Sequence, residues 1–374
     1  MRSKILIPFG VVLLTTFFTS CTKEHGHYCN GDETITTTTK VFATGFNNPR
    51  GLRFGPDGNL YVAEGGIGGT NLSTGCEQVV PPIGPVRGSV DGSRISRVDR
   101  KGSRITWVSN LPSATNGLGD ISGVADVAFI GNRLYAIITG AGCSHGVPTI
   151  PNGVIKINGD RSWTPVANLS NYVKTHPVAD PSPADFEPDG DFYSMTSVGN
   201  DLYAIEANHG ELIKISTNGN VSRIVDFTAT YGHIVPTVHA FRDGNFYVGN
   251  LFTFPAPSGA SNVYKVTSSG QVSVFASRFS MILGIAFDKI GGMYVLETTT
   301  NNLFPTPGTG DIVRVDPLDN RQVIASGLTF PTGMTFGPDG KIYVSCNGFG
   351  FPAGEGQVLQ ISFKCEEMAE KIKS

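Results

Sequence analysis

Apolar and polar residues alternate with a period of two in short runs along most of the chain, and the runs stop at clusters of Gly, Asn and Asp. That pattern predicts half-buried β-strands joined by tight turns. The stretch 54–64, FGPDGNLYVAE, returns near the other end as FGPDGKIYVSC at 336–346. Four further copies lie between them: VAFIGNRLYAII (127–138), MTSVGNDLYAIE (195–206), HAFRDGNFYVGN (239–250) and IAFDKIGGMYVLE (285–297). Each is an apolar strand, a turn and a second strand carrying a Tyr, and the aligned residues are Tyr61, Tyr135, Tyr203, Tyr247, Tyr294 and Tyr343. Turn pairs such as Asp57-Gly58 and Asp243-Gly244 supply the positive φ that a tight hairpin needs.

A second hairpin pattern follows each copy except the last, at 93–109, 153–167, 211–225, 262–276 and 311–325. The repeat is therefore four antiparallel strands, a to d. Six such repeats predict an all-β, six-bladed β-propeller. The sixth repeat stops after strand c, at 356–363. The segment TTTKVFATGF (37–46) has the form of a d strand and is expected to complete the last blade, closing the ring.

In this scheme the a–b and c–d turns are short and share one end of the ring. The long segments 65–93, 110–122, 140–152, 169–192, 227–235, 251–260, 299–310 and 347–355 fall on the other end, where function is expected. Three residues after each aligned Tyr stand Glu64, Ile138, Glu206, Asn250, Glu297 and Cys346. Glu64, Glu206, Asn250 and Glu297 are hard oxygen donors that would suit Ca²⁺ if they converged; they would equally serve as solvated strand ends. Asp126 stands where other repeats have Gly51, Gly284 and Gly333, which marks it as a candidate channel group. The densest polar cluster surrounds the third repeat. His176, Asp185, Glu187, Asn208, His209, His233 and His239 are its candidate ligand-binding residues, with Asp180, Asp189 and Glu211 nearby. The Gly-x-Ser-x-Gly, His-Glu-x-x-His, Walker and Cys-x-x-Cys motifs are lacking, and the formal dinucleotide fingerprint at 348–353 sits in a loop with no helix expected after it.

Composition adds compartment. Arg2 and Lys4 precede an apolar run, Ile5–Phe18, which is too short to span a bilayer comfortably and reads as an export signal (1–20). It ends at Thr19-Ser20-Cys21, the form of a bacterial lipobox, so Cys21 is the expected lipidation site. The expected order is then a polar tether (21–34), the propeller (35–364) and a polar tail (365–374). The chain has 28 basic and 31 acidic residues and no basic stripe, which argues against nucleic acid. In an oxidising compartment, Cys29–Cys365 would staple the ring and Cys76–Cys143 would join neighbouring loops, leaving Cys346 buried; the spacing alone leaves other pairings open.

The stretches DFEPDGDFYSM, EANHGELIKI, GHIVPTVHAF, FYVGNLFTFP, TPGTGDIVRVD and FPTGMTFGPDGKIYVS resemble the ScyD/ScyE family over about residues 39–361. The resemblance implies a six-bladed propeller related to NHL and TolB-like folds, and it brings no catalytic residues. The expectation is an exported, lipid-anchored monomer of the cell envelope, binding a partner protein or small ligand on its long-loop face. The rival is a Ca²⁺-dependent lactonase or lyase.

Overall fold

The computed structural model describes residues 34–366, apart from 183, 290 and 317. Those residues form six sheets, one per repeat. Blade 2 has strands at 124–130, 133–138, 153–157 and 163–168; blade 3 at 192–198, 201–206, 211–216 and 221–226. Blades 4 and 5 follow the same plan over 236–279 and 282–328. The a strands contact one another in sequence around the axis, and the first also contacts the last, so the ring is closed.

Closure comes from the chain's ends. Blade 6 contains 333–336, 342–346 and 356–366, and its outer strand is 34–46. Lys40 pairs with Gln360 and Thr44 with Gln357, as expected. Only Gln357–Ile361 also pair inward with strand b, so 34–38 and 362–366 continue as a two-stranded ribbon beyond the blade. Strand 34–46 ends at the long-loop face, where it enters blade 1. The ribbon, and with it both ends of the described chain, therefore leaves from the short-turn face.

The repeated phrase has a packing reason. The Phe of one blade's strand a meets the Tyr of the preceding blade's strand b edge-on: Phe129 on Tyr61, Phe287 on Tyr247, Phe336 on Tyr294 and Phe54 on Tyr343, with ring centroids 4.9–5.1 Å apart. The Tyr hydroxyl then donates to the Asp of its own a–b turn, in Tyr61–Asp57 (3.0 Å) and Tyr343–Asp339 (3.1 Å). One phrase thus fixes a turn and an inter-blade seam together.

Three details depart from the sequence reading. Strand c of blade 1 begins at Arg87, inside the segment read as loop, and a fifth short strand, Ile121–Ser122, is added to that blade. Gly88 permits the extension: a Cβ there would meet the His145 carbonyl oxygen at 2.2 Å. A seven-residue helix, Leu169–Thr175, also occupies the connector between blades 2 and 3, capped by Asn168 Oδ1 accepting from Asn171 N.

Cys76 and Cys143 form a disulfide between the b–c loops of blades 1 and 2, with Cα atoms 6.1 Å apart. Such a link contributes ~2–4 kcal/mol. Cys346 is free and buried. The Cys29–Cys365 pairing lies outside the described residues, as do the leader, Cys21, most of the tether and the end of the tail.

Candidate ligand site at the channel mouth

The a strands line a central channel of about 260 Å³. Its upper end is barred by Tyr193, whose hydroxyl donates to the Thr332 carbonyl at 3.2 Å, from blade 3 across to blade 6. Above this bar, on the long-loop face, is a separate cavity of about 60 Å³ among blades 1, 2 and 3, room for several waters or a ligand's polar head group.

The cavity's polar groups come from connectors and strand starts. Arg50, near the start of strand a in blade 1, donates through Nη2 to Asp120 Oδ1 and the Ile121 carbonyl, both at 2.6 Å. His145, from the b–c loop of blade 2, places Nε2 3.3 Å from Glu187 Oε2. Thr139 Oγ1 donates to Asp191 Oδ1 at 2.8 Å. Arg50, Asp120, His145, Glu187, Asp191 and Tyr193 all line the same space.

Electrostatics make this a proton-holding site. Burial, and then the charge of Glu187, push the Asp191 carboxyl up to about 7. Burial pulls His145 down, but Glu187, Asp189 and Asp191 together hold it above its ordinary value. Near neutral pH, Asp191 can therefore give or take a proton beside a guanidinium and a phenol.

Of the residues predicted from sequence, the structure brings Glu187 into this cavity. Asp126 lines the channel below, where Val127 N and Met195 N donate to its carboxylate at 2.8 and 2.9 Å and Arg53 lies 3.9 Å away. Burial raises it to about 6. The Gly at the aligned position of blade 1 is required, because a Cβ on Gly51 would meet Asp126 Oδ1 at 2.1 Å. His239 is bonded to Ser194 Oγ at 2.8 Å in the channel wall; burial holds it down at about 3, so it is neutral. His233 pairs with Asp185 at 2.7 Å. Asn208 clamps the same loop, donating to the Asp185 carbonyl (2.6 Å) and accepting from Glu187 N (2.9 Å). His176 stacks on Tyr172 at the end of the short helix, away from the cavity.

Glu64, Glu206, Asn250 and Glu297 do not assemble into one site. Each ends strand b of its own blade, buried, and secures a neighbouring connector. Glu64 Oε2 accepts from Asn47 N (2.6 Å), Glu206 Oε1 from Asp191 N (2.7 Å), and Glu297 from Ser280 N. Asn250 accepts from Asn262 N (2.7 Å) and donates to the Ile234 carbonyl (2.9 Å). The recurring carboxylate satisfies a buried N–H where the chain turns into strand a. Among the described residues, the one close-set group of metal-ligating side chains is Glu206, His209 and Glu211.

Sequence reasoning missed Arg50, Asp120, His145, Asp191 and Tyr193. Asp191 and Tyr193 sit inside the quoted stretch DFEPDGDFYSM, but nothing local marks them as facing the axis.

No protein-family model matches the chain, and no curated protein does. Solved structures match it in fold. A structural genomics protein of unknown function from Bacteroides thetaiotaomicron superposes with a TM-score of 0.56 at 12% identity, over 88% of this chain and 77% of that one. A putative oxidoreductase (glucose dehydrogenase) from Thermus thermophilus gives 0.54 at 15%, over 87% and 100%. The soluble aldose sugar dehydrogenase of Escherichia coli, in its apo form, gives 0.52 at 14%, over 87% and 99%. At such identities the likeness is one of architecture, and function must be argued from the site.

Proposed function

We propose that this protein is an exported, lipid-anchored propeller of the cell envelope that binds a small polar ligand at the mouth of its channel. The observation that carries the reading is the cavity above Tyr193, where a cation, a phenol and a carboxyl titrating near neutrality share one space. A ligand head group bearing hydroxyl or carboxyl oxygens suits these donors and acceptors. Membership of the ScyD/ScyE family and a monomeric state are part of the same proposal. The enzymatic alternative, a Ca²⁺-dependent lactonase or lyase, required Glu64, Glu206, Asn250 and Glu297 to converge, and their separate local partners place it second.

The test is a saturation-transfer NMR screen of monosaccharides, sugar acids and small hydroxy acids. Hits are expected to bind at least ~10-fold more weakly to Arg50→Ala and Asp191→Asn, since a hydrogen bond to a charged group contributes ~1.5–3 kcal/mol. Hits that bind both variants as well as the parent protein, or no hits at all, would remove the reading.

The anchor has its own consequence. A lipid on Cys21 would hold the ribbon, and so the short-turn face, toward the membrane, with the cavity facing away. The intervening dozen residues reach at most ~40 Å when extended. Cys21→Ser is expected to move the protein from the membrane fraction to the soluble one; retention in the membrane fraction would count against the anchor.

A further inference from the structure

We propose that Glu206, His209 and Glu211 bind one divalent transition-metal ion of the Zn²⁺ type. None of the three lines the mouth cavity, so the metal site stands without the ligand proposed there. It is built on the b–c hairpin of blade 3, where Glu206 and Glu211 are directly opposed across the ladder and His209 lies in the turn between them. All three are buried, and one ligand atom from each lies within 4.8 Å of the other two.

Two observations separate this cluster from a chance gathering of acids. First, Glu211 is fully buried; Arg223 occupies Oε2, and Oε1 has no hydrogen-bond partner. The protein's own groups thus satisfy only half of this carboxylate. Second, His209 Nε2 lies 3.1 Å from the Glu187 carbonyl oxygen. A carbonyl only accepts, so Nε2 carries the proton and Nδ1 keeps its lone pair. A ligating histidine held by a backbone carbonyl through its other nitrogen is the usual arrangement around a metal. Glu206 accepts backbone N–H groups from Asp191 and His209, which orients its carboxylate.

Arg223 offsets the charge of Glu211; a bound cation would take the place of a proton on the opposed carboxyl and offset the second charge. An imidazole nitrogen beside two carboxylates favours Zn²⁺ and its neighbours over Ca²⁺, which takes six to eight oxygens. The ion's role would be positional. Glu206 holds Asp191 N, His209 holds the Glu187 carbonyl, and the His209 ring stacks on Phe186 at 5.2 Å. The metal would thereby fix the segment that carries both Glu187 and Asp191 into the mouth cavity.

The experiment uses the full chain, stripped with EDTA and titrated with ZnCl₂, MnCl₂ or CaCl₂ under calorimetry and thermal denaturation. One equivalent of Zn²⁺ is expected to bind and to raise Tm by ~5 °C at a hundredfold excess over Kd. His209→Asn, which leaves both carboxylates and Arg223 in place, is expected to fold with a metal-free Tm lowered by its lost Glu187 and Phe186 contacts, and to show no further rise with Zn²⁺. Glu211→Gln is expected to lose the rise too; should that variant fail to fold, His209→Asn decides. No stoichiometric binding, a Zn²⁺ shift that survives in His209→Asn, or an equal shift with Ca²⁺ would overturn the proposal. Each of these outcomes leaves the Arg50 and Asp191 test untouched.

Discussion

A chain lacking residues 1–46 is expected to lose cooperative unfolding altogether. The outer strand of blade 6 is the clasp of the ring, and the rest of the sequence offers nothing to replace it. Without it, strand 356–366 becomes an exposed edge with unpaired backbone groups along its length. The seam between the last and first blades keeps Phe54 on Tyr343 but loses its outer part. Phe46 is fully buried there among Leu52, Leu60, Tyr343 and Val358, and Phe42 meets the Tyr343 ring edge-on at 5.0 Å. A single substitution isolates the packing part: Phe46→Ala should cost ~3–5 kcal/mol, as for other buried aromatic truncations. Denaturant midpoints measure both effects. A truncated chain that unfolds as sharply, and at the same midpoint, as the full chain would show that the ring does not depend on its clasp.

That clasp was legible in the sequence because counting exposes it: six a–b–c units and five d strands after them leave one place to fill, and 37–46 has the required alternation. The blades were legible for the same reason, since one phrase encodes a turn, a Tyr–Asp bond and a Phe–Tyr seam. Blade 1 was less so. Its long strand c runs through RGSVDGSRI, whose Gly and Ser residues read as loop, and only the close approach of His145 explains Gly88. The mouth site was largely illegible. Its residues come from connectors and the first residues of strands in three blades, where no periodicity gives a direction. The position three residues after each Tyr misled for a physical reason: strand b is the second strand from the axis, so its last residue meets a connector of its own sheet. Asp126 could be found, because an Asp replacing an otherwise recurrent Gly reports a side chain that enters where the other blades leave space.

The same strand-end position gives the second large effect. In blade 5, Glu297 and Asp311 are directly opposed across the ladder, where blade 1 sets Glu64 against Arg94. Two buried carboxyls in contact cannot both ionise cheaply. Burial first, and then the Asp311 charge, push Glu297 up to about 8, and burial raises Asp311 to about 6. Asp311 Oδ1 is buried without a donor, and a proton on Glu297 would supply one. The folded protein thus holds a proton that the unfolded chain, with its ordinary glutamate, releases at a lower pH. Stability from this pair is fully present below about pH 4.5 and is lost as pH rises through about 8. A tenfold change in proton affinity is worth ~1.4 kcal/mol. Sharing of the proton with Asp311 reduces the total, and a loss of ~2–4 kcal/mol between pH 5 and pH 9 is expected. Glu297→Gln keeps an acceptor for Ser280 N and places an N–H toward Asp311 at every pH. Its unfolding free energy should therefore flatten over that range and exceed that of the parent protein at pH 9. If urea midpoints for the two proteins fall in parallel from pH 5 to pH 9, the proton does not reside on this pair.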